Sequence, residues 1–327
     1  MTENALDQST SRVLRIVRLA LASVLSLAAF ASVALLLARA SSIGVFGELL
    51  RHGAWTGVAT LMGQDAFWVV ATLVLLVSGA AAGHYGIVGP RRFSHAGRRF
   101  RFFPVAIRIT HLLAALACAT LILTGATMMA AAAPGTREIL EGTDFVRRLW
   151  TVHGTAAIVF VCALPILLVR WAAVMLPRVH DLGWIRIFGG YLSTAKRPVP
   201  AHMFNIGQKS WFWLATLGGF VMGATGLMMF LFVGGPRFLN LVALVHHVTA
   251  TAIVAMFCVH HYMSLFAIKG SIRSMIDGHK HEEEVAIMHS LYYAELTAPE
   301  PTANADQAPD SPSEPPPVAE VRPRQDQ

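Results

Sequence analysis

Charge is what this chain has least of. Asp, Glu, Lys and Arg make up 14% of its 327 residues, where a soluble domain carries about 25%. With 55% hydrophobic residues, that shortage excludes an ordinary soluble enzyme and points to the membrane class. Cysteine is also scarce. Cys118, Cys162 and Cys258 lie far apart in apolar segments. No C-x-x-C-H attachment and no zinc pattern can be built from them. They read as buried structural thiols, and any haem must be held non-covalently. The net charge of +7 belongs in loops of a membrane protein, so no nucleic-acid partner is expected.

Apolar runs are plentiful. A helix needs about 20 mostly apolar residues to span a bilayer. Five segments meet this, at 66–88, 109–132, 153–176, 211–233 and 243–267. A sixth, 19–38, reads as a retained helix, although Ala38-Arg39-Ala40 is a small-x-small pattern that a signal peptidase could cut. Arg91, Arg92, Arg98, Arg99, Arg101 and Arg108 crowd the loop after the second run. Arg178, Arg186, Lys196, Arg197 and Lys209 populate the loop after the fourth, and Lys269, Arg273 and Lys280 follow the last. The loops between are poor in basic residues or balanced. The positive-inside rule then puts the C-terminus in the cytoplasm of a multi-pass inner-membrane protein. Residues 1–100 form N-terminal spans and a basic loop, and 101–296 form the main membrane domain. The Pro-rich stretch 297–327 lacks apolar residues for a core and is expected to be disordered.

The histidines carry the chemistry. His111, His153, His246, His247, His260 and His261 lie within the runs or at their ends. An ionisable side chain in a bilayer is costly and marks a functional site by default. His111 opens its helix at the cytoplasmic face, whereas His153 and His246 open theirs at the outer face. His260 lies fourteen residues beyond His246. That is roughly 21 Å along a helix and within roughly 40° of the same side. One helix thus offers an outer ligand matched by His153 and an inner one matched by His111. Two neutral imidazoles fill the axial positions of an electron-transfer haem. His247 and His261 are also fourteen apart, and spacing alone leaves both registers open.

Several short stretches occur in one order. They are Arg108-Ile109-Thr110-His111 with Thr124-Gly125, Val152-His153 with Arg170-Trp171, and Asn205-Ile206-Gly207-Gln208-Lys209. Then come Val245-His246, Val259-His260-His261-Tyr262, Lys269-Gly270-Ser271-Ile272 and Met275-Ile276-Asp277-Gly278, followed by His289–Glu295. This ordered set, over residues 100–296, resembles the gamma subunit of formate dehydrogenase. The resemblance implies an all-α integral membrane protein. Its four-helix di-haem cytochrome b core would carry one or two extra N-terminal spans. It implies two b haems on His111, His153, His246 and His260, and the His-x-Tyr flank favours His246 with His260. Electrons would pass from an iron–sulfur beta subunit to quinone. Formate oxidation would occur on a molybdenum or tungsten alpha subunit, within a complex that is compatible with a higher oligomer. Tyr292 stands where the family usually has tryptophan, and the basic cluster before it is thinned, which touches the docking of that partner.

Asn205, Gly207 and Gln208 lie at the cytoplasmic entrance of a span, level with the inner histidines. Amide side chains can donate to a quinone carbonyl, and glycine admits a ring. Asn205 equally suits a helix cap and Gly207 the relief of crowding. Lys209 reads as a positive-inside anchor. One rival is the b cytochrome of a nickel–iron hydrogenase or a related reductase. A second is a proton-coupled transporter. Its inverted repeats are not seen, and Asp, Glu and Lys are nearly absent from the spans.

Overall fold

The computed structural model describes residues 2–132, 136–140 and 142–298. The N-terminal part holds α1 (Thr2–Ser42), α2 (Val45–His52) and α3 (Ala54–Ile87). There follow β1 (Arg99–Arg101), α4 (Val105–Ala131), α5 (Arg137–Leu140), α6 (Asp144–Trp171) and α7 (His180–Arg186). Then come α8 (Ile206–Phe230), α9 (Pro236–Tyr262) with a π-helical turn Met263–Ala267, α10 (Arg273–Ile276), β2 (His279–His281), α11 (Glu282–Met288) and α12 (Ser290–Thr297). Among the described residues, six helices are long and apolar enough to cross a membrane. Hydrocarbon offers no water to backbone polar groups, so apolar runs of this length close their hydrogen bonds as helices.

The helices outrun their apolar windows. α3 begins at Ala54 rather than 66, α6 at Asp144 rather than 153, and α9 at Pro236 rather than 243. Polar side chains such as Asp144, Arg147 and Arg237 can continue a helix past the hydrocarbon, where water solvates them. Thr143 caps α6 by accepting from the Val146 N–H, and Pro236 opens α9 where no N–H is needed. His153 and His246 therefore do not open their helices. They sit nine and ten residues after the first residue of α6 and α9, and their depth match survives. α3 is broken at Asp65 (φ −131°, ψ 28°). That carboxylate is 3% exposed and pairs with Arg39 at 2.7 Å.

α4 packs on α6, α6 on α8 and α8 on α9, while α3 lies along α9 and α1 along α3. Four helices thus enclose the histidines, and the N-terminal pair flanks them. The loops at the basic end gather into a cap. There β1 pairs antiparallel with β2, Phe100 opposite Lys280. The Val199 N–H donates to the Ile287 carbonyl at 2.7 Å, and the Arg91 N–H to the Ala267 carbonyl at 2.8 Å. The core runs from the bundle into this cap through Leu164, Leu167, Trp171, Phe103, Phe204 and Val285. Cys118 is buried as expected, but Cys162 is exposed on the outside of the bundle. In a lipid-facing position a thiol is an acceptable small apolar group. The stretch expected to be disordered falls outside the described residues from 299 onward, and Thr297 still ends α12.

Candidate functional site

At the end of the bundle that carries the basic cap, named the inner end for the expected orientation, α4 and α9 face each other across a cavity of ≈ 650 Å³. His111, His260 and His261 line it, with Arg108, Gln208 and Trp211. The rings of His111 and His260 have centroids 6.2 Å apart. An imidazole nitrogen binds a first-row metal at about 2 Å, which puts two rings on opposite sides of one ion ~6 Å apart, centre to centre. The spacing fits a bis-imidazole iron. Trp211 stacks on His260 at 5.4 Å and 21°. The His261 ring instead folds onto Phe257 of its own helix, with centroids 3.9 Å apart, and its Nδ1–H donates to the Phe257 carbonyl at 2.9 Å.

The outer pair is held differently. Nδ1 of His153 lies 2.7 Å from the Thr124 hydroxyl of α4, and Nδ1 of His246 lies 2.8 Å from the Thr225 hydroxyl of α8. Each hydroxyl has one proton, and each already donates it to a carbonyl one turn back, Thr120 and Val221 respectively, at 2.7 Å. Each threonine must therefore accept from Nδ1–H. This fixes the tautomer of both histidines and leaves the Nε2 lone pair free for a metal. A Cβ on Gly125 would stand 3.5 Å from His153, and one on Gly226 3.6 Å from His246. Both glycines thus leave room beside an imidazole. His153 and His246 lie close enough to interact electrostatically. His247 turns the other way and faces the backbone of Met62 on α3. The geometry thus sets His246 toward the bundle interior and His247 toward the N-terminal pair, and the helical count puts His260 on the side of His246.

Of the three amide and glycine positions, Asn205 and Gln208 form a capping box. The Asn205 side chain accepts from the Gln208 N–H and the Gln208 side chain from the Asn205 N–H, each at 3.0 Å. Asn205 is buried by this role, and a Cβ on Gly207 would press on Asn205 at 3.2 Å. Gln208 alone of the three lines the cavity. Its oxygen is taken by the cap, and its amide N–H groups remain to donate. Lys209 is not a solvated anchor. It is 1% exposed and pairs with Asp181 at 2.7 Å.

The cap above this cavity is fastened by charge. Arg98 pairs with Glu282 at 2.8 Å, and Lys196 with Glu283 at 2.6 Å. Hydrogen bonds from Arg98 hold the Glu282 carboxyl down at about 2. Gly278 closes the cap onto α4: its carbonyl accepts from the N–H groups of Phe102 and Phe103, its φ is +83°, and a Cβ would lie 2.5 Å from the Phe103 carbonyl. Sequence reasoning missed the roles of Thr124, Thr225 and Trp211. The legible signal was a repeated Thr-Gly pair, at 124–125 and 225–226, in two spans.

The model of the prokaryotic cytochrome b561 family matches residues 102–278, from just after β1 to just before β2. The chain belongs to the prokaryotic cytochrome b561 family. A search of curated proteins found no match. As a b561-family cytochrome the chain is a multi-pass membrane protein of electron transfer and binds haem b. The histidines that line its bundle are the residues fitted to hold haem, and family membership sets aside the transporter reading.

Proposed function

We propose that the chain is the membrane anchor and electron-transfer subunit of a respiratory formate dehydrogenase. It carries electrons from an iron–sulfur subunit on the outer side, through two b haems, to membrane quinone on the cytoplasmic side. One observation carries the two-haem reading. α9 presents His246 and His260 to the bundle interior, where the His260 ring lies 6.2 Å from that of His111 and His246 is within electrostatic reach of His153. Haem b, when bound, supplies a one-electron carrier at each level. The protein's part is to hold the imidazoles in one tautomer and to exclude water with Leu164, Phe160 and Phe212.

Gln208 is the quinone contact in this reading. It lines the inner cavity beside His260 with free amide N–H groups, and Asn205 and Gly207 position it through the cap. The basic residues of the cap favour the cytoplasm for that end. Quinone reduced there takes protons from the inside. The ordered motifs from Arg108 to Glu295 favour formate as the distant donor, oxidised on a molybdenum or tungsten subunit. The test is to purify the chain from membranes with its partners, add formate or hydrogen, and follow the haem absorption. Formate alone is expected to reduce both haems. Reduction by hydrogen alone would assign the donor to a nickel–iron hydrogenase instead.

A further inference from the structure

The two levels of the bundle are built differently around like ligands. At the outer level each histidine gives its Nδ1–H to a threonine, Thr124 at 2.7 Å and Thr225 at 2.8 Å. At the inner level, among the described residues, no hydrogen bond reaches a ring nitrogen of His111 or His260. That level faces a cation instead. Arg108 lines the inner cavity one turn before His111 on α4. A guanidinium nitrogen of Arg108 donates to the Ile276 carbonyl, while its Nε is buried without a partner. The carboxylate of Asp277, next to Ile276, is already paired with Arg99 at 2.6 Å. Lys280 also lines the cavity but is neutralised by Glu284.

We infer that these surroundings set the two haems apart in potential, with Thr124 and Thr225 holding the outer one lower and Arg108 holding the inner one higher. An imidazole whose N–H is given to an acceptor is a more basic ligand. More basic ligands favour the ferric state and lower the potential. A fixed positive charge lining the same cavity favours the reduced state and raises it. Both terms tilt the same way. An electron entering at the outer level then moves downhill to the inner one, where Gln208 waits with its donors. The direction of flow is thus written into threonine, arginine and their hydrogen bonds, and the four iron ligands need not differ.

The inference rests on the two-haem reading, and the experiment separates the two. Haem is first counted per chain by pyridine haemochrome in the intact complex. Potentiometric titration of the same sample then resolves the components, and His153→Ala identifies the outer one by its absence. The outer component is expected to be the lower. Thr124→Val and Thr225→Val should each raise that component alone, with the electron distribution between levels changed on the order of tenfold, the scale seen on removing an outer-shell partner. Arg108→Gln should lower the inner component alone, and Thr225→Ser should titrate like the parent. One haem per chain would sink the two-haem reading. Two haems with the outer one higher, or valine variants that keep both haems with an unmoved lower midpoint, would overturn only this inference.

Discussion

Lys209 and Asp181 form an ion pair 2.7 Å long, with side-chain exposures of 2% and 4%. It joins α7 to the first turn of α8, next to the residue that reaches the inner cavity. A backbone N–H, from Arg178, also reaches the same carboxylate oxygen at 2.7 Å. Breaking a buried pair strands one charge and costs about 3–5 kcal/mol, whereas replacing both members by apolar groups is often neutral. Lys209→Met and Asp181→Asn are each expected to destabilise the cap by that amount. The double change to Met and Leu should recover most of it. Thermal loss of haem absorption in the three variants measures this. A double variant as weak as the sum of the singles would deny the coupling.

The register of the doublets gives a second prediction. His247→Ala removes a side chain that faces the Met62 backbone and no ligand, so both haems should remain. His246→Ala should delete the outer haem, and His260→Ala the inner. Retention of the outer haem in His246→Ala with its loss in His247→Ala would move the assignment by one residue.

Glycines of the bundle should divide by what they face. Gly226→Val and Gly125→Val push branched carbons toward imidazoles that already stand 3.6 and 3.5 Å from a Cβ. Both should lose the outer haem. Gly154 has nothing within 4 Å, so Gly154→Ala should stay within about 0.5 kcal/mol of the parent. Haem content and melting of the three variants check the ranking.

His289 makes the cap acid-sensitive. It is 3% exposed, its Nδ1–H donates to the His202 carbonyl at 2.9 Å, and burial, then the Lys280 charge, pushes it down to about 3. Folded His289 stays neutral until that pH, while an unfolded histidine takes a proton below about 6.5. Between the two the unfolded state binds more protons. Stability is therefore full above about 6.5 and falls as pH drops, by up to about 1.4 kcal/mol per pH unit. Protection of the Val199, Ser290 and Leu291 amides, corrected for the intrinsic exchange rate at each pH, should fall from pH 7 to 5, and His289→Gln should flatten the trend. Equal slopes in parent and variant would remove His289 as the cause.

The spans were legible, and six histidines stood out in or beside them, because hydrocarbon punishes polar groups so steeply that runs and exceptions both show. Helix ends were not. Asp144, Arg147 and Arg237 carry helices into water, where hydropathy no longer reports on backbone conformation. Nor was Lys209 legible as buried, since its partner lies 28 residues away on another helix. Asn205 was readable as a helix cap, and the structure builds that cap with Gln208, whose part in it the sequence reading did not see. The threonine partners escaped notice because a hydroxyl in a helix usually bonds its own backbone, and Thr124 and Thr225 do that as well.

The central claim is two haems, one at each end of α9. The most direct measurement is a reduced-minus-oxidised spectrum of the purified chain, with haem b quantified against protein, in the parent and in His153→Ala. The account predicts two haems per chain in the parent and one in the variant, with the inner signal intact. One haem in the parent, or loss of both in a variant that still assembles, would contradict it.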